Sequence, residues 1–215
     1  MLEITTLLDN INTEHKTVTA KHGLSMFIRT ESLNIVFDCG PDATAVNNSR
    51  LLNAPIDKAN YVILSHSHYD HSAGYPEFVR NNVKGVLYTG PNFFKPKYAY
   101  DGVKYTYLGA GFDEYFIAEN NIIHKVCDGC IELSSDCYIF SGFPRRYEFE
   151  PIPERFVHGS LPDTVKDDGC NNCCADYSCN YYTSYAFFIR FGFKYGTNSC
   201  NLSNCSRFNG SISCK

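Results

Sequence analysis

The stretch LSHSHYDHSAG, residues 64–74, brings His66, His68, Asp70 and His71 together in a chain that has only seven histidines. Packing gives no reason to crowd imidazoles in this way, but metal binding does. In a loop leaving a strand, alternate side chains turn to one side, so His66 and His68 can share one metal. Asp70 and His71 sit on the next turn and can address a second. Imidazole combined with carboxylate suits zinc, iron(II) or manganese(II) rather than calcium or copper(I). Two such ions about 3.5–4 Å apart would lower the pKa of a shared water and hold it as a nucleophile. Asp70 is the residue placed to accept a proton from that water. Asp38 ends the apolar run NIVF and precedes Cys39-Gly40. A carboxylate there can orient the loop from behind the metal ligands. Its plainer reading is a turn-forming aspartate before glycine.

The surrounding sequence supplies elements that could hold such a loop. LSMFIRT and LNIVFDCG are short β-rich runs separated by Glu31 and Ser32, which predicts a hairpin. YVILSHSH is a continuous apolar run ending where the histidines begin, as expected of a buried strand feeding a site. Between them, Ala45, Val46, Leu51 and Leu52 recur at roughly helical spacing, with Asp42 as N-cap and Pro55 as the stop. Gly74 gives the loop room to turn into a helix over GYPEFVRNN, with Pro76 in its first turn. VKGVLYTG follows as a strand. This order predicts an α/β layered fold with a mixed sheet. Residues 91–118 are rich in Tyr, Phe and Gly. They read as a hairpin or lid over a pocket, or as ordinary aromatic packing.

The whole chain has 215 residues, 44% of them hydrophobic and 20% charged, with a net charge of −4. That is globular composition without a basic stripe, so nucleic acid is not an expected partner. The start, MLEITTLLDN, lacks a basic leader region, and no apolar run approaches the ~20 residues that span a bilayer. The expectation is a cytoplasmic protein with a small-molecule substrate and no membrane partner.

Cysteine divides the chain. Of eleven, Cys39, Cys127, Cys130 and Cys137 precede residue 168, and seven lie between Cys170 and Cys214. We expect one domain over 1–168 and a Cys/Asn/Tyr-rich tail over 169–215. The tail has no Pro, Val or His and a single acidic residue, Asp176. Such a shift marks a different module or a stretch translated out of register. YAFFIRFGFKY within it has strand composition. Cys170-x-x-Cys173 with Cys200-x₄-Cys205 has loose zinc-knot spacing, whereas Cys127-x-x-Cys130 with Cys137 reads as ordinary thiols.

The His-x-His-x-Asp-His run after a strand resembles the metallo-β-lactamase superfold. The segments LLDN, KHGLSMFI, IVFDCG, VILSHSHYDHSAG and FSGFPRRYEFE narrow the resemblance. They are similar, in the same order, to a branch that includes the archaeal synthase of methanopterin biosynthesis and related metallo-hydrolases. The resemblance covers residues 1 to about 168. It implies an αββα sandwich, of which the first half is present and the second incomplete. It also implies two divalent metals, zinc or else iron or manganese. His66 and His68 then match ligands of the first metal, Asp70 and His71 ligands of the second, and Asp38 the orienting aspartate. His22, in KHGLS, and Arg145, in GFPRR, fall in motifs of the branch and become substrate-binding candidates. A guanidinium at Arg145 would suit a phosphate.

The superfold completes its first metal with a third histidine, and its second with a bridging carboxylate and a further histidine. Those ligands come from the second half, and here no histidine follows His158. His124 and His158 are each isolated, which is more typical of packed or surface residues. The expected activity is that of a metal-dependent hydrolase, or a related transferase, using a metal-bound hydroxide on a small phosphorylated or pterin-like substrate. The alternatives are a non-catalytic metal-binding module with a partner-binding tail, and an inactive truncated or frame-shifted member with fewer metals. Strand edges left uncovered by an incomplete second half would favour pairing with a second copy.

Overall fold

Alternation along the central strands decides the architecture. The computed structural model describes residues 2–12, 17–135, 137–142 and 153–166, and the backbone of the strand Phe188–Phe191. The main sheet has six strands: β1 (Glu3–Leu8), β2 (Ser25–Arg29), β3 (Asn34–Phe37), β4 (Tyr61–Ile63), β5 (Val86–Thr89) and β8 (His124–Val126). They lie side by side in that order. The β1–β2 and β2–β3 pairs are antiparallel, and β3, β4, β5 and β8 run parallel. The expected hairpin is the β2–β3 pair. Its turn closes with Thr30 N–H donating to Leu33 O at 2.8 Å.

Successive residues of these strands feed opposite faces. Val36, Val62, Leu64 and Leu87 join a cluster with Ala45, Val46, Tyr75, Phe78 and Ile117. Those partners come from three helices, α1 (Thr44–Leu51), α3 (Tyr75–Arg80) and α4 (Glu114–Glu119), and the one-turn helix α2 (Tyr69–Ser72) carries Asp70 and His71. Ile35, Phe37, Ile63 and Tyr88 face the other way, onto Cys127, Cys137 and Ile139. There a second sheet packs, made of β9 (Cys130–Ser134), β10 (Cys137–Phe140) and β13 (Phe188–Phe191). A helical layer, a large sheet and a smaller sheet are thus stacked, as the α/β reading requires. Among the described residues, no helix is long and apolar enough to cross a membrane.

Helix α1 departs from expectation in detail. It starts at Thr44 with Ala43 at the N-cap, although Asp42 Oδ1 still accepts the Thr44 N–H at 3.0 Å. Leu51 and Leu52 are exposed rather than packed, and the helix ends at Leu51, well before Pro55. Its buried face is Ala45, Val46, Asn48 and Ser49. Asn48 does the joining there. Its amide donates to Leu7 O and Thr19 O, both at 2.8 Å, and accepts from Thr19 N–H at 3.0 Å. A buried amide with these partners meets its hydrogen-bonding needs.

A third sheet has the order β12-β11-β6-β7, from Thr164–Lys166, Phe156–Gly159, Lys97–Tyr100 and Tyr105–Tyr107. The aromatic stretch 91–118 therefore holds a hairpin, β6–β7. Its phenylalanines pack conventionally: Phe93, Phe94 and Phe112 gather around Tyr75 and Phe116. Strand β13 falls inside the tail stretch with strand composition and pairs antiparallel with β10. The tail cysteines lie outside the described residues.

Candidate metal centre

Ligand sites in open α/β sheets form beyond the carboxyl ends of parallel strands. Here β3 delivers Asp38 to that edge, and β4 delivers Ser65 and His66. Asp38 is fully buried and sits at φ 55°, a left-handed conformation that aspartate tolerates better than most residues. The turn is held because Asp38 N–H donates to Ile63 O at 2.9 Å and Cys39 N–H donates to His71 O at 2.7 Å.

The Asp38 carboxylate organises the loop. Oδ1 accepts Ser65 N–H at 2.7 Å. Oδ2 accepts the Ser65 hydroxyl at 2.7 Å and His71 Nδ1 at 2.7 Å. A carboxylate can only accept, so His71 carries its proton on Nδ1. The single Ser65 hydroxyl hydrogen is committed to Asp38. His66 Nδ1, 2.9 Å from Ser65 Oγ, must therefore donate to that oxygen. Both imidazoles are left with a lone pair on Nε2, the form that binds a metal.

The other ligand candidates gather around these two. The His66 ring lies 4.8 Å from that of His68 and 4.3 Å from that of His71. Asp70 Oδ2 is 3.5 Å from His71 Nε2. His68 is pushed down to about 3 by burial first, then by the charge of Lys97, so its imidazole is neutral. A neutral imidazole is also what ligation requires. His22 reaches the cluster from the other side, with Nε2 3.3 Å from Asp70 Oδ2.

Two glycines permit this closeness. A Cβ at Gly74 would lie 2.2 Å from Cys39 O and 2.7 Å from Asp42 O. A Cβ at Gly23, where φ is +138°, would lie 2.2 Å from Asp70 O. The first glycine lets the loop lie on the Asp38 turn, and the second lets the segment carrying His22 lie on Asp70.

The donor set fits divalent-metal chemistry: lone pairs on Nε2 of His66 and His71, a neutral His68 and a carboxylate at Asp70. Among the described residues, however, no three His, Cys, Asp or Glu side chains are grouped so as to hold an ion. His124 is elsewhere, on β8, with Nε2 2.8 Å from Thr89 Oγ1 and its ring 5.8 Å from that of Phe94. His158 lies on β11, paired with Lys97 of β6. Arg145, Asp167, Asp168 and the tail's Asp176 fall outside the described residues.

Two residues escaped sequence reasoning. Ser65 relays Asp38 to His66, and its only signal was a small polar residue ending an apolar strand. Lys97 gave no signal at all within an aromatic stretch, yet it is 5% exposed and its charge reaches His68.

Known proteins share this architecture and sequence. An uncharacterised protein of Methanocaldococcus jannaschii is 30% identical over 161 residues, 73% of this chain and 61% of its own length. The same organism's 7,8-dihydropterin-6-methyl-4-(beta-D-ribofuranosyl)-aminobenzene-5'-phosphate synthase is 31% identical over 171 residues, 77% of this chain and 52% of its own. The chain thus spans a little over half the length of these relatives. A solved metal-dependent hydrolase of the β-lactamase superfamily superposes with a TM-score of 0.59 at 20% identity, over 78% of this chain and 57% of that one, a likeness of fold. The model of the metallo-beta-lactamase superfamily matches residues 18–166, a span that runs from just before His22 through the histidine loop to the end of β12. The chain belongs to the metallo-β-lactamase superfamily.

Proposed function

We propose that this protein is a metal-dependent hydrolase, or a related transferase, acting on a small phosphorylated or pterin-like substrate. One observation carries the reading: a fully buried aspartate, directly at His71 and through Ser65 at His66, sets two histidines of a His-x-His-x-Asp-His loop in the tautomer that ligates metal. A loop of solvated histidines would have no use for that relay. His66 and His68 would hold one metal and Asp70 and His71 a second, with zinc, iron(II) or manganese(II) fitting the donors. Bound metal would supply Lewis acidity and an activated water.

The chain's own groups do the rest. Asp38 keeps His66 and His71 oriented. Asp70, its Oδ2 3.3 Å from His22 Nε2, would accept a proton released at the site, and His22 would pass that proton to solvent. The phosphorylated, pterin-bearing class of substrate is suggested by the name of the synthase relative. The test is turnover of p-nitrophenyl phosphate, bis-p-nitrophenyl phosphate and p-nitrophenyl acetate by zinc- or manganese-loaded protein. Metal-dependent turnover that falls about 100-fold or more in Asp70→Asn is expected. Turnover indifferent to chelator and to Asp70→Asn would overturn the reading.

A further inference from the structure

We propose that Lys97 is an oxyanion-binding residue of this site, its ammonium group holding the phosphate or carboxylate of the substrate beside the His68 edge of the loop. The proposal rests on reading the loop as a metal centre and assigns the site a ligand contact from another sheet.

Geometry places Lys97 there. The pairs Tyr98↔Tyr107 and Tyr100↔Tyr105 put four tyrosines on one face of the β6–β7 hairpin, with ring centroids 5.6 and 4.5 Å apart. Alternation then turns Lys97 and Ala99 to the other face. Across the β6–β11 pair, His158 lies opposite Lys97 and Phe156 opposite Ala99, and directly opposed residues share a face. The Phe156 ring is 5.5 Å from that of His68. The face bearing Lys97 is therefore the one that lies on the loop. The backbone agrees: Leu108 N–H donates to Lys97 O at 2.8 Å, and Tyr69 N–H donates to Leu108 O at 3.0 Å. A single residue, Leu108, bridges Lys97 to the residue after His68.

The chemistry follows from charge. Burying an ammonium group forfeits its hydration, a cost that a neutral side chain at the same place would avoid. A cation beside ligands that would hold further cations makes the pocket electropositive, and an anion shared between them relieves the repulsion.

The experiment titrates inorganic phosphate into the full-length protein, apo and zinc-loaded, by calorimetry, with metals per chain measured on the same samples. Lys97→Met should weaken phosphate binding about tenfold or more, and Lys97→Arg should stay within about threefold of the parent. If Lys97→Met does not fold, Lys97→Gln carries the same expectation. Binding that is absent from the parent, or equal in parent and Lys97→Met, overturns the assignment even when metal is held. A chain without metal whose phosphate binding still falls with Lys97→Met keeps the Lys97 site and overturns the metal reading instead.

Discussion

Replacing the buried Asp38 by asparagine should strip metal from the loop while leaving the chain folded. The carboxylate accepts three hydrogen bonds, from Ser65 N–H, the Ser65 hydroxyl and His71 Nδ1. Asparagine tolerates the left-handed φ of 55° and can keep Oδ1 on Ser65 N–H. Its amide nitrogen must then occupy the Oδ2 position, where it can only donate. Both bonds on that side reverse. His71 Nδ1 must become an acceptor, which moves its proton to Nε2. The Ser65 hydroxyl, now an acceptor from the amide, turns its hydrogen to His66 Nδ1 and protonates His66 on Nε2 as well. Two ligands lose their lone pairs through one isosteric change. Loss of such an orienting partner costs about 10–100-fold in metal affinity, or about 1.4–2.8 kcal/mol. The bonds survive in neutral form, so folding should lose only about 1–3 kcal/mol. Asp38→Ala, which leaves buried donors unsatisfied, should lose about 3–5 kcal/mol. Zinc titration against a chromophoric chelator gives the affinity, urea unfolding gives the stability, and ¹⁵N shifts of the imidazoles report the tautomers. An Asp38→Asn protein that holds zinc within about twofold of the parent, or whose His66 and His71 keep the parental tautomer, would refute the relay.

Other substitutions probe the frame around the site. Gly74→Ala forces a Cβ to 2.2 Å from the Cys39 carbonyl and should lower stability by about 2 kcal/mol or more, read from the urea midpoint. Asn48→Ala removes three hydrogen bonds that tie α1 to the Leu7 and Thr19 backbone, and should lose about 2–4 kcal/mol by the same assay. His124→Ala should cost about 1 kcal/mol through the Thr89 bond and leave the metal content unchanged, because His124 sits on β8 away from the loop. Native alkylation at pH 8, mapped by mass spectrometry, should label Cys130 and spare Cys39 and Cys127. Burial pushes the Cys39 thiol far up and the Cys127 thiol to about 11, and Cys130 is exposed.

Strong local signals made much of this structure legible from sequence. The hairpin before Asp38, the strand feeding the histidines and the helix after Gly74 were each set by an apolar run with its own turn or cap. They stand where expected, as β2–β3, β4 and α3. The histidine loop was legible because four ligand-type residues within six positions have no common structural explanation. What was missed depended on distant partners. Leu51 and Leu52 kept helical spacing but came after the turn that faces the sheet, so they stay exposed. Buried polar Asn48 and Ser49 took the inner positions instead, chosen by hydrogen bonds to Leu7, Thr19 and Val46 that spacing cannot reveal. β1 was not anticipated, because MLEITTLLDN shows only a weak alternation and its pairing partner begins at Ser25. Ser65 and Lys97 belong to the site through tertiary placement alone. One acts through an aspartate far back in sequence, and the other arrives from a hairpin folded over the loop.

Metal binding by this loop is tested most directly by elemental analysis of the intact chain beside His68→Ala and Asp70→Asn. The prediction is at least one divalent metal per intact chain after loading and desalting, with the content reduced in both variants. An intact chain that retains no metal, or variants that retain as much as the parent, would contradict it.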